Sequence, residues 1–135
     1  MSFYKDFSSR KSTPHLEVYK KALRVFKTCR GLATYLTDNK SILEIQQSTF
    51  ISEQYSLQLV MDSMSLAPKI ATLNITADVH ERKKVFSSLK ETSIRLYAYC
   101  NYLDTHYKQA KDYIALLRKE LTLYINEQKR WEKTF

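Results

Sequence analysis

Residues 110–131 have the sequence AKDYIALLRKELTLYINEQKRW, the most regular apolar pattern in the chain, and they decide its fold class. Apolar side chains recur there every three or four positions, which places them on one face of an α-helix. The residues on this face are Ala110, Ile114, Leu117, Leu121, Tyr124 and Trp131, and only Gln128 interrupts them. The pattern predicts a long amphipathic helix that packs against other helices.

The rest of the chain contains very few residues that form loops. One glycine and two prolines occur in 135 residues, whereas turns, bulges and phosphate-binding loops depend on these two residue types. The length is typical of a single domain. We therefore predict an all-α protein in which residues 13–135 form an antiparallel up-down-up-down four-helix bundle, preceded by a flexible basic arm over residues 1–12.

The first two helices are predicted from helix-start signals and apolar spacing. The first begins after Thr13, with Pro14 at its first position, and the second begins at Ser41, which forms a capping box with Glu44. Residues 37–40 (TDNK) are predicted to connect them. The apolar face of the first helix comprises Leu16, Tyr19, Ala22, Leu23, Val25, Phe26, Cys29, Leu32 and Leu36, and the predicted buried residues of the second are Ile45, Phe50, Leu57, Val60, Met61 and Met64.

Pro68 is expected to stop or kink the second helix near Leu66, because proline lacks a backbone donor and its ring clashes with the preceding turn. We interpret residues 69–75 (KIATLNI) as a loop. A second capping box, Asp78 with Glu81, then opens the third helix. Its apolar positions are Val85, Leu89, Leu96, Cys100, Leu103 and Tyr107, and the chain is expected to reverse within residues 104–108 before the fourth helix.

Charge is unevenly distributed along this plan. Residues 1–36 contain eight Lys or Arg against two acids, a net charge of +6, and residues 81–135 contain twelve against seven, a net charge of +5. Residues 37–80 contain two against five, a net charge of −3. Such a basic balance favours a polyanionic partner, although an ordinary solvated surface is the alternative interpretation.

Three groups of cations are candidate nucleic-acid contacts. In the first helix Lys20, Arg24 and Lys27 share one face, and Glu17 is the only acid between residues 14 and 36. Whether the three groups form one surface depends on how the helices pack. The candidate residues are Lys20, Lys21, Arg24, Lys27 and Arg30 in the first helix, Arg82, Lys83 and Lys84 in the third, and Lys108, Lys111, Arg118 and Lys119 near the fourth.

Motifs for catalysis and metal binding are missing from the sequence. The three histidines occur singly, and the chain contains no C-x-x-C, H-x-x-x-H, P-loop or paired E-x-x-H pattern. Cys29 and Cys100 lie in apolar helical surroundings, so we expect buried free thiols. We predict no catalytic residues, no metal and no cofactor, and hence a protein that is not an enzyme.

Tyrosine is abundant, with ten residues in the chain. Tyr97, Tyr99, Tyr102 and Tyr107 in the third helix could stack on unpaired bases, or could belong to the core or to a protein interface; we favour the core or interface. No apolar run approaches the roughly 20 residues needed to span a bilayer, and the N-terminus lacks the features of a signal peptide. We therefore expect a soluble protein of the cytoplasm that has no membrane partner.

Nearly the whole chain resembles a known superfamily of small four-helix bundles. The resemblance lies in LEVYKKALRVF (16–26), ERKKVFSSLKETSIRLYAY (81–99) and YIALLRKELTLYINEQKRW (113–131). The superfamily includes proteins encoded in ribosomal RNA intervening sequences and the accessory variability determinants of diversity-generating retroelements. The intervening-sequence branch usually has a Ser-Ile-Pro segment followed by small residues and Gly in its second helix, which YSLQLVMDSMSLAPK (55–69) lacks, so the second branch is favoured.

The resemblance implies a basic, pentameric homo-oligomer that binds nucleic acid and a retroelement reverse transcriptase and has no catalytic centre. The positions that match its basic surface are Lys20, Lys21, Arg24, Lys27, Arg30, Arg82, Lys83 and Lys84. The leading hypothesis is a nucleic-acid-binding accessory protein that holds RNA or an RNA–DNA hybrid. The alternatives are a helical adaptor that docks an acidic protein and an intervening-sequence protein of unassigned role.

Overall fold

A computed structural model describes residues 11–135, and these residues form helices and connections without any β-strand. The all-α class is confirmed. All but the last two residues of the predicted basic arm lie outside the described residues. The α-helices are α1 (Glu17–Leu36), α2 (Ile42–Gln46), α3 (Ile51–Met64), α4 (Leu66–Ile75), α5 (Val79–His106) and α6 (Lys111–Glu132), with 3-10 turns at Thr13–His15 and Lys108–Ala110.

Helix α1 begins later than predicted. Thr13–His15 form a separate 3-10 turn that includes Pro14, and Leu16 then adopts an extended backbone (φ −72°, ψ 132°) as the N-cap of α1. The predicted start after Thr13 is therefore wrong by one turn. Leu23, predicted on the apolar face, is exposed, whereas Val18 is buried.

The turn after α1 reverses the chain without glycine. Asp38 and Asn39 both have positive φ, 55° and 64°, a region that costs most residues free energy but is reached more readily by Asp and Asn. The Asn39 amide donates to the Thr34 carbonyl at 2.9 Å. The predicted connection at residues 37–40 is confirmed.

The predicted second helix is divided into three pieces, α2, α3 and α4. The Ser41–Glu44 capping box is present, but the helix that it begins ends at Gln46. Phe50 is the N-cap of α3 and is 66 % exposed. Its prediction as a core residue was wrong, as were those of Met61 and Met64, because the buried face of α3 is rotated away from these methionines. Ile45, Leu57 and Val60 are buried as predicted, and the buried face of α3 also includes Glu53, Ser56, Leu59 and Ser63.

Residues 69–75 are helical, so the loop predicted there was wrong. The expected interruption occurs at Ser65, between α3 and α4, and Pro68 is the third residue of α4. A proline is tolerated in a first helical turn because the amide there lacks an intrahelical acceptor. Ile70 and Leu73 are fully buried, and this apolar burial holds the segment in the fold.

Helices α5 and α6 follow the sequence prediction closely. The Asp78 carboxylate accepts from the amides of His80 (2.8 Å) and Glu81 (3.4 Å), which caps α5. Only this half of the predicted capping box forms, because the Glu81 carboxylate pairs with Lys84 instead. All six residues predicted on the apolar face of the last helix are buried. Gln128, which interrupts that face, is also buried and accepts a hydrogen bond from the Tyr124 hydroxyl.

Contacts between helices enclose one core. Phe86 of α5 packs on Trp131 of α6, and Arg118 of α6 donates a hydrogen bond to Asp104 of α5. The two helices therefore run in opposite directions. Helices α3 and α5 also run in opposite directions, because Tyr55 stacks on Tyr102 and Asp62 accepts a hydrogen bond from Arg95. The remaining long helix, α1, packs against α3, α4 and α6.

Candidate nucleic-acid interface

Five residues on α1 form a stripe, defined here as the α1 stripe: Lys20, Arg24, Lys27, Gly31 and Tyr35. They lie three or four positions apart and therefore share one helix face. Arg24 and Lys27 are exposed and form no ion pair with any residue that the structure describes. Lys20 differs, because its Nζ lies 3.3 Å from Glu17 Oε1. This exposed pair adds little stability, and it leaves Arg24 and Lys27 as the unneutralised charges of the stripe.

Two further predicted cations flank the stripe. Lys21 is half-buried and Arg30 is exposed, and neither is paired with an acid within residues 11–135. Four of the five cations predicted on α1 are therefore available to a partner.

The cations at the start of α5 are more engaged within the protein. Arg82 Nε donates to the Thr76 carbonyl at 2.9 Å, and its guanidinium lies 5.0 Å from the centroid of the Phe135 ring. Lys84 Nζ is 3.3 Å from Glu81 Oε1, while Lys83 is exposed and has no acid partner among the described residues. Lys83 and Lys84 line a depression on α5 itself, separate from the α1 stripe.

The fourth-helix group is mixed. Arg118 is tied to α5 by hydrogen bonds to Asp104 Oδ2 (3.1 Å) and Asn101 Oδ1 (2.7 Å). Lys108, Lys111 and Lys119 are exposed and form no ion pair with any residue in the described part of the chain.

A groove between α1 and α6 is lined by two cations of the first group, Arg24 and Lys27. It consists of two adjoining depressions that share Tyr113 and Leu116. Its lining includes none of the four fourth-helix cations, Lys108, Lys111, Arg118 and Lys119. We call this the α1–α6 groove; its lining residues are Arg24, Lys27, Thr28, Gly31, Tyr35, Gln109, Ala110, Asp112, Tyr113, Leu116 and Glu120.

Gly31 gives the groove its shape, and its role was missed from the sequence. A β-carbon at residue 31 would overlap the Tyr113 hydroxyl oxygen and would lie 3.1 Å from the ring carbon that bears it. Glycine inside a helix costs about 1 kcal/mol relative to alanine, so its presence in the middle of α1 was itself a signal of a close contact. The absence of a side chain lets the Tyr113 ring lie directly against α1.

The tyrosines considered for base stacking on α5 pack within the protein. The Tyr99 hydroxyl donates to Asp62 at 2.8 Å, and burial raises the pKa of Tyr99 to about 12. Tyr102 stacks on Tyr55 with ring centroids 3.9 Å apart, and the Tyr97 hydroxyl is hydrogen-bonded to Thr122 at 2.6 Å. Tyr35, which the sequence analysis did not single out, is instead 53 % exposed at the end of the α1 stripe.

The core contains two thiols. Cys29 and Cys100 are buried free thiols, as predicted, and burial raises their pKa values to about 12 and about 11. Both are therefore protonated at neutral pH, which makes them poor nucleophiles. In the described part of the chain, no three His, Cys, Asp or Glu residues are grouped so that they could hold a metal ion.

Comparisons with known proteins give no relative on which to base a function. No family model matches the chain, and neither the curated proteins nor the solved structures contain a significant match. Among the described helices, none has both the length and the apolar character required to cross a membrane.

Proposed function

We propose that this protein is a non-catalytic nucleic-acid-binding protein that contacts phosphates through the α1–α6 groove. The supporting observation is the pair Arg24 and Lys27, which are exposed, line the same groove and have no acid partner within residues 11–135. Lys21 and Arg30 add positive charge on α1 to either side of this face.

A polyanion would relieve the repulsion along α1. Like charges three or four residues apart on a helix destabilise it by a few tenths of a kcal/mol per pair. Lys20 and Lys27 are separated by about 10 Å along the helix axis, a length that can follow several successive phosphates of one strand. Contacts of this type position a nucleic acid without reading its sequence.

The resemblance seen in the sequence extends the proposal. Helix pairs in which residue numbers run in opposite directions favour an antiparallel bundle of four arms, with α2, α3 and α4 together as the second arm. In a protein of this superfamily the nucleic acid would be RNA or an RNA–DNA hybrid. The partner would be a retroelement reverse transcriptase, and the working form a homo-oligomer, a pentamer in the branch that the sequence resembles, in the cytoplasm.

The test is filter binding of a generic single-stranded RNA over a series of salt concentrations. Each lost phosphate contact reduces the magnitude of the slope of log K against log salt by about 0.7. We expect the Arg24→Gln/Lys27→Gln variant, which loses two such contacts, to reduce the magnitude of this slope by about 1.4. Its helical circular dichroism should be unchanged. Binding without a salt slope, or a variant that binds as the natural protein does, would contradict the proposal.

A charge-matched control is available elsewhere on the surface. Lys90 and Arg130 are exposed but already paired, Lys90 with Glu132 at 3.3 Å and Arg130 with Glu127 at 3.0 Å. The Lys90→Gln/Arg130→Gln variant has the same net charge as the groove variant. Its slope is expected to remain that of the natural protein, because only cations in the groove contact phosphate.

An adaptor that docks an acidic protein is the second candidate. It is favoured by Leu116, which lines the groove and is 47 % exposed, because apolar side chains beside cations are common in protein interfaces. The same salt series separates the candidates, since an adaptor has no reason to bind generic RNA with a steep slope.

A further inference from the structure

We infer that the α1–α6 groove prefers single-stranded nucleic acid and stacks one base on Tyr35. This inference rests on the proposed function and specifies the form of its ligand. The features that support it are an exposed aromatic ring, a second ring fixed beside it, and two unpaired cations on the same helix face.

Tyr35 continues the line of cations along α1. It lies eight residues beyond Lys27, about 12 Å along the helix axis, and Gly31 is between them on the same face. Tyr35 is 53 % exposed, although removing a large aromatic ring from water is favourable. A planar apolar ligand would cover this surface.

Tyr113 provides a second ring with a restricted position. Its centroid is 6.4 Å from that of Tyr35, and the two ring planes are inclined by 31°. Gly31 allows the Tyr113 ring to lie against α1, and both depressions of the groove border this ring. Tyr35 is therefore packed beside a neighbouring ring on a helix rather than placed on a loop.

The order of these groups suits a single strand better than a duplex. Bases in a duplex are stacked on each other and present only their edges, whereas an unpaired base has a free face that can stack on an aromatic side chain. A strand that follows α1 would place its backbone near Arg24 and Lys27 and an unpaired base near Tyr35.

Two carboxylates help to define where the backbone would lie. Glu120 lines the depression that contains Arg24 and Lys27, and Asp112 lines the one that contains Tyr35. Both repel phosphate, so the backbone is expected on the α1 side of the groove. Asp112 can also accept a hydrogen bond from a base amino group, as carboxylates do with cytosine N4.

The experiment is fluorescence anisotropy with one labelled RNA, used as a single strand and as the matching duplex, at moderate salt. Stacking on an aromatic residue is worth about five- to a hundredfold in affinity per base. We expect Tyr35→Ala to reduce the affinity for the single strand at least fivefold and the affinity for the duplex less than twofold. Tyr35→Phe keeps the ring, so it should retain single-strand binding.

Phe50→Ala serves as the matched control, because Phe50 is an exposed aromatic residue that lies outside the groove. It should leave both affinities unchanged. If the natural protein binds the duplex as tightly as the single strand, or if Tyr35→Ala and Phe50→Ala behave alike, the stacking inference fails while salt-dependent binding can still support the proposed function. If neither RNA form binds, the proposed function fails as well.

Discussion

Gly31 and Tyr113 depend on each other at a close contact between α1 and α6. Glycine in the middle of a helix increases the backbone entropy lost on folding, and alanine would normally stabilise such a position by about 1 kcal/mol. The Tyr113 hydroxyl occupies the space that an alanine methyl group would need. The cost of Gly31 in α1 is therefore offset by the packing of a tyrosine ring.

A double-mutant cycle tests this dependence. In a Tyr113→Ala background, Gly31→Ala should stabilise the protein by up to about 1 kcal/mol, because helix propensity then acts without a clash. In the natural background Gly31→Ala should give no such stabilisation, because the Tyr113 ring must move away from the new methyl group. The effects of the two substitutions on the free energy of unfolding should therefore differ from additivity by about 1 kcal/mol or more. Urea denaturation of the four proteins measures the coupling. Additive effects would contradict the proposed contact.

Single residues were the hardest features to predict from the sequence. Arg24 and Lys27 were identified because charged residues at helical spacing are visible in the sequence, and the structure leaves them exposed. Tyr35 was overlooked because an exposed aromatic residue produces no periodic pattern. The closeness of residue 31 to Tyr113 depends on which helices pack together, which apolar spacing does not specify.

At the scale of helices, prediction succeeded where apolar residues recur at regular spacing along one helix face. Helices α5 and α6 were predicted almost to their ends, because their apolar residues recur regularly and Asp78 marks a start. The predicted second helix was less accurate. Phe50 and Met61 fit the apolar pattern but lie outside the core, since the chain breaks at residues 47–50 and the buried face of α3 is rotated away from Met61.

The break after α2 is stabilised by polar contacts. Lys40 Nζ lies 2.8 Å from Glu53 Oε2 and 3.1 Å from Oε1, which joins the α1–α2 turn to α3. The Gln54 side chain donates to the Ser48 carbonyl at 2.6 Å. Such contacts between residues distant in sequence have no pattern by which the sequence alone could reveal them.

The Lys40–Glu53 ion pair predicts a pH dependence of stability. The Glu53 carboxylate accepts hydrogen bonds from Lys40 and from Ser48, and these bonds hold the pKa of Glu53 below its ordinary value of 4.5. A carboxyl group whose folded pKa is lowered stabilises the protein above the unfolded pKa, and the effect disappears as pH falls through the folded value. This contribution should therefore be complete at neutral pH and decline below about pH 4.5.

Glu53→Gln should lower the urea midpoint at pH 7 and have a progressively smaller effect as the pH falls below 4.5. Glu91→Gln, which changes an exposed carboxyl group on α5, is the control and should have little effect at either pH. An equal loss of stability at pH 7 and pH 3 would indicate that Glu53 acts by packing rather than by charge.

At the scale of the whole molecule, one core joins the long helices and includes both thiols. Cys29 comes from α1 and Cys100 from α5, and each is fully buried. The sequence predicted their burial from apolar surroundings. It could not predict that Arg24 and Lys27 of α1 would line one depression while Lys83 and Lys84 of α5 line another, because that depends on the arrangement of all the helices.

The buried thiols report on opening of the core. We expect a thiol reagent at pH 8 to label both residues at least a hundredfold more slowly than a free cysteine, because burial raises their pKa values and blocks access. Labelling should become fast only across the urea unfolding transition. Rapid labelling of the native protein would show that the core is open or that a thiol is exposed.

The short helix α2 has a consequence for how the molecule comes apart. Of the four residues of α2 whose side chains the structure describes, only Ile45 is buried, so these four provide little apolar contact with the remainder of the protein. Segments with few such contacts detach at a lower free energy than the core does. Residues 42–50 should therefore loosen first as acid weakens the ion pair between Lys40 and Glu53, and a protease would cut the chain there while the long helices are still assembled.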